Sequence, residues 1–389
     1  MTKALLTLSF ISILIVSPVL AQSRTGFSSI GGPSQATYRQ HITRQVLSYA
    51  DSMGVDVSSL RVPVGSDTLY SLLHQLRYGQ RPRYLSHLAL TERIDSAGIQ
   101  RVLNLLLVPG SASIQQALSE FIPIPNKYLQ LLSHYQRLRR EDKADSVAAL
   151  QTTLNHYRWI QRFTDAPFVL VNVPAAELFV VNPQGEELLR MRVIVGKKGS
   201  QTPFMATYCS TITLYPYWNV PRSIALGEML PRIKKDPGYL ERNKLQVIDQ
   251  EGREVAPAKI NWAAMNSKTF TYRFRQSTGC DNALGVVKFN LENPFSIYLH
   301  DTNARGLFAQ KNRWLSHGCI RLQKPAELAN LMLEKTYIDN DFLNKCLIDA
   351  KPGTLKLPRP FPVFILYQTV DLDQQGNLRW HPNVYDWIL

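Results

Sequence analysis

One short segment of the chain surrounds a cysteine with residues that activate thiols. Residues 315–322 are Leu-Ser-His-Gly-Cys-Ile-Arg-Leu, and a second histidine, His300, lies nineteen positions before Cys319. A cysteine is nucleophilic as the thiolate, and its ordinary pKa is about 8.5, so at neutral pH it needs a neighbouring base or positive charge. The pattern therefore predicts covalent catalysis at Cys319, with His300 accepting the thiol proton.

The residues around this pair suggest supporting roles. Gly318 allows a sharp turn and close approach of an acyl group. Backbone N–H groups near Cys319, helped by His317, could form an oxyanion hole, in which each donor is typically worth about 3 kcal/mol. The carbonyl of Asp301, rather than its side chain, is placed to orient His300. The alternatives are a buried structural thiol at Cys319, a core histidine at position 300 and a metal ligand at position 317.

The first residues of the chain resemble an export signal. Lys3 precedes an apolar run over residues 4–16, Pro18 interrupts it, and Val-Leu-Ala at 19–21 ends in small residues. We expect residues 1–21 to be a cleaved signal peptide and residues 22–37 a flexible leader. The alternative is a membrane anchor, but the run is shorter than the roughly 20 apolar residues that a span requires. The prediction is an exported, periplasmic protein.

Composition indicates which partners to expect outside the cell. The chain has 389 residues, 45% of them hydrophobic, and a net charge of +14. These values fit a soluble protein of two or three domains. For an exported protein, this basicity favours contacts with anionic cell wall and membrane surfaces over nucleic acid. We expect a monomer. No Cys/His metal spacing occurs, so no metal is expected, and cysteine–histidine chemistry needs no organic cofactor.

Three cysteines lie outside the predicted nucleophilic segment: Cys209, Cys280 and Cys346. They can form at most one bridge among themselves, and Cys209 with Cys280 is the pair to test first. Buried inert thiols are an equally open interpretation. Cys346, on a predicted helix, is expected to be inert.

The apolar spacing divides the chain into two regions. From residue 38 to 160 it is helical. The predicted helices are Tyr38–Met53, Asp67–Tyr78, Thr91–Leu107, Ser113–Phe121, Asn126–Arg139 and Lys143–Trp159. Beyond Phe168 the pattern becomes that of short strands with hairpin turns. The predicted strands are 168–173, 177–181, 188–195, 207–217, 285–299 and 362–370. A helix is expected over 324–333. The predicted fold class is α+β, a helical scaffold domain over 38–160 followed by a mostly β catalytic core over 161–389.

An insertion interrupts the β pattern. Residues 221–276 contain a predicted helix, Ser223–Lys235, then a turn at Asp236–Tyr239 and a polar hairpin-like segment. Insertions of this length in a β core often serve as lids. We expect a helical capping subdomain.

The spacing of the catalytic residues resembles that of a known family. His300, fifteen intervening residues and Ser-His-Gly-Cys-Ile-Arg at 316–321 are similar to the signature of L,D-transpeptidase (YkuD-type) catalytic domains. Other segments resemble the large periplasmic branch of the family, the YcbB-like enzymes. These segments are 170–174, 191–197, 201–203, 215–221, 235–240 and 362–367. The resemblance covers roughly residue 156 to the C-terminus.

The resemblance implies roles for individual residues. Cys319 would be the acylated nucleophile and His300 the base, and the carbonyl of Asp301 would orient that base. The oxyanion site would be shaped by Ser316, His317 and Gly318. Predicted substrate contacts are Arg321, Tyr298, Trp218 and Asn219. A structural ion pair at Arg321 and core aromatic roles for Tyr298 and Trp218 stay open.

The implied reaction is acyl transfer between peptidoglycan stem peptides. Cys319 would attack a tetrapeptide stem, release its terminal D-amino acid and pass the acyl group to a neighbouring amine, giving a 3→3 cross-link. Such a site should also be acylated by carbapenems. Transfer to water or to a protein amine, and a catalytically idle wall-binding scaffold, are the alternatives. The small peptidoglycan-binding domain usual in YcbB-like enzymes has no counterpart, since only residues 141–155 intervene.

Overall fold

A computed structural model describes residues 34–58, 66–122, 126–163 and 165–387. The predicted signal peptide over 1–21 lies outside the described residues, as does the leader up to residue 33. The last positions assigned to the leader belong instead to the first helix, which begins at Gln35. The Ser34 side chain accepts a hydrogen bond from the Thr37 N–H and thereby caps this helix.

Helices make up the N-terminal region. They are α1 (Gln35–Ser52), α2 (Ser66–Tyr78), α3 (Ser96–Leu106), α4 (Ile114–Leu118), α5 (Asn126–Arg140) and α6 (Ala144–Ile160). The third helix starts at Ser96, five residues later than predicted, because Asp95 caps it by accepting from the Gly98 N–H. Their apolar faces share one core, with buried residues such as Val46, Leu73 and Leu150.

Strands dominate the rest of the chain. They are β1 (His87–Leu88), β2 (Phe168–Asn172), β3 (Glu177–Val181), β4 (Glu187–Gly196), β5 (Met205–Leu214), β6 (Trp218–Asn219), β7 (Leu245–Ile248), β8 (Arg273–Gln276), β9 (Val287–Leu291), β10 (Tyr298–His300), β11 (Trp314–Ser316), β12 (Ile320–Leu322), β13 (Gly353–Leu366), β14 (Val370–Leu372) and β15 (Leu378–Trp380). The architecture is thus α+β, with helices first and a β-rich core after them.

The main sheet closes on itself. Strands β5, β13, β2, β3, β4, β12, β10 and β9 pair in that order, and β9 pairs again with β5. Alternate side chains fill the interior, among them Val171, Val193, Leu299 and Ile365. Closure leaves each strand of this ring paired on both sides, so the catalytic segments are held by neighbours rather than at a free edge.

Two strand predictions are wrong in their bounds. Residues 285–299 form a hairpin of β9 and β10, because Asn293 accepts from the N–H groups of Phe295 and Ile297 and thereby stabilises a turn. The last long strand starts at Gly353, nine residues before the predicted start. Two of its three prolines, Pro358 and Pro360, lie where the register with β5 shifts between Lys356 and Phe361.

The insertion, predicted as a helical subdomain with a hairpin-like segment, contains both helices and a small sheet. It contains α7 (Arg222–Ile224), a π-helical turn at Ala225–Met229, α8 (Leu230–Lys235) and α9 (Tyr239–Arg242). These pack with a three-stranded sheet in the order β6-β8-β7 around a separate apolar core that includes Ile233 and Phe274. We call residues 218–276 the cap.

Two further helices follow the predicted nucleophile. They are α10 (Pro325–Leu333) and α11 (Asn340–Asn344). The first was predicted to start one residue earlier, and its buried face, which includes Leu328 and Met332, packs on the barrel core.

The disulfide prediction is wrong. Cys280 is bonded to Cys346, with their Cα atoms 4.8 Å apart, and Cys209 is a free, fully buried thiol on β5. The pair was missed because the two segments, 66 residues apart, meet only through the tertiary fold. Cys346 is therefore a structural crosslink rather than an inert thiol.

Over the described part of the chain, no helix combines the length and the apolarity needed to cross a bilayer.

Candidate active site

The candidate site lies on the outer face of three neighbouring strands. Leu299 of β10 pairs with Ile320 of β12, and both are fully buried in the barrel. Because side chains alternate along a strand, their neighbours His300 and Arg321, which also pair, face the other side. Lys288 of β9 lies opposite His300 and shares this face.

Cys319 immediately precedes β12, beside Tyr298. Its Sγ lies 3.6 Å from the carbonyl oxygen of Ser296, and it is within hydrogen-bonding distance of Tyr298. Burial raises the pKa of the Cys319 thiol above its ordinary value. The contacts with Tyr298 and the positive charges of Lys288 and Arg321 act in the opposite direction. The thiol is half-buried, so a substrate carbonyl can reach it.

His300 is buried and held in one orientation. Its Nδ1 lies 2.5 Å from the carbonyl oxygen of Asp301, so Nδ1–H donates there and Nε2 is the free acceptor. Burial lowers the pKa of His300 to about 3, and the charges of Arg321 and Lys288 act in the same direction. The imidazole is therefore neutral at physiological pH, the form that can accept a proton.

The side chain of Asp301 faces away from this imidazole. Its carboxylate accepts from the Val286 N–H at 3.1 Å and pairs with Arg305 at 2.8 Å. Burial raises the pKa of this carboxyl group. The carboxylate thus fixes the backbone around β10, while only the Asp301 carbonyl contacts the base.

A network of hydrogen bonds shapes the turn before Cys319. The Ser316 hydroxyl donates to the Cys319 carbonyl and accepts from the Gly318 N–H at 3.1 Å. Thr202 donates its hydroxyl proton to the Gly318 carbonyl at 2.7 Å. Gly318 has a φ of 116°, and a Cβ there would lie 2.9 Å from Ile297 Cδ1. The turn therefore requires glycine, and the Gly318 N–H is already occupied.

His317 contacts the cap. Its Nε2 lies 2.6 Å from the carboxylate of Glu228, in the π-helical turn, and 3.2 Å from Lys197 Nζ. The hydrogen bond from His317 lowers the pKa of Glu228. These contacts join the catalytic turn to the cap, and the predicted oxyanion role of His317 stays a prediction.

The predicted substrate contacts divide into two groups. Tyr298 and Arg321 lie beside Cys319 and His300, and the Tyr298 ring packs edge-on against the His300 ring at 5.7 Å. Trp218 and Asn219 belong to β6, within the cap sheet, where they pair with β8. Trp218 packs against the cap core, which is the alternative considered from the sequence, and its substrate contact stays a prediction.

Sequence reasoning missed Lys288, Thr202 and Glu228. Lys288 had a usable signal, since it is a charged residue between the apolar Val287 and Phe289 in a strand beside that of His300. Thr202 reaches the catalytic turn from the loop that precedes β5, and Glu228 reaches it from the cap. Thr202 lies within the 201–203 segment that resembles the family, but no local pattern assigns a role at this turn to Thr202 or to Glu228.

The described residues contain no group of three or more His, Cys, Asp or Glu side chains arranged to hold a metal ion.

Residues 166–349 match the family model of the L,D-transpeptidase catalytic domain, YkuD. A protein of Haemophilus influenzae named "Putative L,D-transpeptidase" is 36% identical over 219 residues, which are 56% of this chain. The match spans only 44% of that relative's length.

Solved structures of L,D-transpeptidases also align with part of this chain. An L,D-transpeptidase from Mycobacterium smegmatis aligns at 13% identity and a TM-score of 0.24, over 51% of this chain and 58% of that one. A cysteine-to-serine mutant of the Enterococcus faecium L,D-transpeptidase aligns at 9% identity and a TM-score of 0.26, over 56% of this chain and 62% of that one. From the family match and the curated relative, residues 166–349 of this chain are a YkuD-family L,D-transpeptidase catalytic domain.

Proposed function

We propose that this protein is a peptidoglycan L,D-transpeptidase that forms 3→3 cross-links through a thioacyl intermediate on Cys319. The observation that carries the proposal is the grouping of Cys319, Tyr298, His300 and Arg321 on one face of β10 and β12, inside the region that matches the family. A thiol and a neutral, oriented imidazole on the same face of paired strands are the groups needed for covalent acyl transfer.

In the first half-reaction Cys319 Sγ attacks the carbonyl of the third residue of a tetrapeptide stem. His300 Nε2 takes the thiol proton and returns it to the departing amine of the terminal D-amino acid. A carbon–sulfur bond forms and the peptide bond breaks, leaving a thioester. We assign the Tyr298 hydroxyl as a donor to the developing oxyanion, because it already contacts the thiol and the Gly318 N–H is engaged.

In the second half-reaction an amine of a neighbouring stem attacks the thioester. His300, again neutral, removes a proton from this amine, and the thiol of Cys319 is regenerated as the new amide forms. The cap contacts the catalytic turn through Glu228 and His317. We infer that it limits the access of water to the thioester, which favours a bound amine as acceptor.

The rest of the proposal concerns the protein's cellular location and its binding partners. We infer that the protein is exported to the periplasm after removal of residues 1–21, and that it acts as a monomer on peptidoglycan stem peptides. Its net charge of +14 would support peripheral contact with anionic wall or membrane surfaces. The YcbB-like assignment and the domain limits at 160 and 161 belong to the same proposal.

The test is mass spectrometry of muropeptides made by wild-type protein and by Cys319→Ala from purified disaccharide tetrapeptides. We expect 3→3 dimers and free D-amino acid with wild type and neither with Cys319→Ala. Cys209→Ala removes the other free thiol, which is fully buried, and should leave dimer formation intact.

Equal dimer formation by wild type and Cys319→Ala would refute the mechanism. Release of tripeptides without dimers would instead identify an L,D-carboxypeptidase. A product linked to protein would identify an anchoring enzyme.

A further inference from the structure

Lys288 is a cation that the proposed mechanism does not use. It lies on β9 directly opposite His300, on the outer face of the barrel. Its Nζ is 4.3 Å from the centroid of the Tyr298 ring, and the Tyr298 side chain is within hydrogen-bonding distance of the Cys319 thiol. The ammonium group therefore lies one side chain away from the nucleophile.

Within the described part of the chain, this charge has no carboxylate partner. Among the described residues, the acids nearest the site are engaged elsewhere, Asp301 with Arg305 and Glu228 with His317 and Lys197. Lys288 is half-buried, and burial lowers the pKa of its ammonium group while Cys319 acts in the opposite direction. Desolvating a charge without an anionic partner is costly, so the arrangement suggests that a neighbouring group can supply a negative charge.

The groups facing the Cys319 thiol come from every element around it. Lys288 extends from β9, Tyr298 and His300 from β10, and Arg321 from β12. The cluster of His317, Lys197 and Glu228 lies at the other end of the catalytic turn. His300 is neutral, so in the free enzyme the positive charge around the sulfur comes from Lys288 and Arg321.

We propose that Lys288 is a charge-stabilising residue of the site, whose ammonium group favours the Cys319 thiolate before substrate binds. This inference rests on Cys319 being the nucleophile of the proposed reaction. An opposite charge within about 4–6 Å typically changes a pKa by about 1 to 3. The role requires positive charge and not an amine as such, so arginine should replace lysine and methionine should not.

The experiment follows alkylation of Cys319 by iodoacetamide across about pH 5 to pH 10, read by intact mass, since only the thiolate reacts. For Lys288→Met we expect the midpoint of the profile to rise by about one pH unit and labelling at neutral pH to slow about tenfold. Lys288→Arg should keep the wild-type midpoint. Cys319→Ser is the blank that excludes labelling of Cys209.

Lys356→Met is the matched control. Lys356 is an exposed lysine on β13, two strands further along the same sheet, about 10 Å away. Its loss should leave the profile unchanged. Circular dichroism of each variant checks folding, and Lys288→Gln provides a second neutral variant if Lys288→Met does not fold.

The proposal is overturned if the neutral variants keep the wild-type midpoint, if Lys356→Met shifts it equally, or if Lys288→Arg behaves like Lys288→Met. These results are independent of cross-linking. If Cys319→Ala still made dimers, the proposed function would fail, and the alkylation profile would still report the effect of the Lys288 charge on this thiol.

Discussion

At the scale of single residues, His300 differs from the imidazolium partner that a cysteine–histidine pair first suggests. Its Nδ1–H is committed to the Asp301 carbonyl, it is 4% exposed, and burial lowers its pKa to about 3. Arg321 and Lys288 further disfavour a charged ring. We therefore interpret His300 as a transient proton carrier that takes the thiol proton during the reaction, while the surrounding cations favour formation of the thiolate.

Replacing His300 by Asn should slow acylation of Cys319 about a thousandfold, because the amide cannot accept the thiol proton. The measurement is the rate of covalent adduct formation with a carbapenem, read by intact mass. His41→Asn, on the exposed face of α1, is the control and should react at the wild-type rate.

The pH dependence of this reaction gives a second check on His300. With a pKa of about 3, the imidazole stays in its neutral, competent form throughout the neutral range. A decline in wild-type acylation centred near pH 6.5, the ordinary value for histidine, would contradict this interpretation.

At the scale of elements, the disulfide supports the segment that joins the cap to the barrel. Cys280 lies between β8 of the cap and β9 of the site, and its partner Cys346 follows α11. Next to it, Asn282 donates to the carbonyls of Pro216 and Ser277, and both ends of the cap are thereby held together. The crosslink thus stabilises the start of the strand that carries Lys288.

Replacing both Cys280 and Cys346 by Ser should lower the free energy of unfolding by about 3 kcal/mol, since the bridge closes a long loop in the unfolded chain. Urea unfolding of the oxidised proteins measures the loss. Cys209→Ser retains the bridge and serves as the control for thiol replacement. A crosslinked peptide containing Cys209 in a non-reducing digest would contradict the pairing.

At the scale of the whole molecule, the helical region and the barrel share their cores. Val370 and Leu372 of β14 pack among the N-terminal helices, and Thr153 of α6 donates to the Val370 carbonyl. Trp159 of α6 packs against Phe364 of the barrel. The chain's C-terminal strands thus complete the helical core, so the two predicted regions stabilise each other.

Acid should destabilise this junction through His156 of α6. The side chain is 3% exposed against Phe204, and burial lowers its pKa to about 3. The unfolded chain, with an ordinary histidine pKa, binds the proton first as pH falls. Stability is therefore complete above about pH 6.5 and declines toward pH 3, by at most about 1.4 kcal/mol per pH unit for each such histidine.

His156→Gln should reduce the change of unfolding free energy with pH by the contribution of one histidine. This expectation does not depend on how the substitution changes stability at neutral pH. Urea unfolding at several pH values between about 6 and 4 measures this change with pH, because that window lies between the two pKa values. His41→Gln should retain the wild-type slope. An unchanged slope in His156→Gln would mean that another group carries the acid sensitivity.

Much of the architecture was predictable because it depends on local patterns. Apolar spacing located six N-terminal helices, five of them to within about three residues at each end, and separated them from the strand-rich remainder. The single strand predicted over 285–299 is a hairpin, because Asn293 stabilises a turn within it. The spacing from His300 to Cys319 was sufficient to nominate a nucleophile and its base.

Only the tertiary structure determines which side chains lie near His300 and Cys319. Barrel closure pairs β9 with β10 and β10 with β12, which brings Lys288 and Arg321 to the same face. The cap brings Glu228 to His317, and the fold joins Cys280 to Cys346. A sequence by itself determines periodicity, turns and short motifs, because these depend on neighbours in the chain. Contacts between distant segments depend on how strands pair and cores pack, and here those contacts set the charge around the thiol.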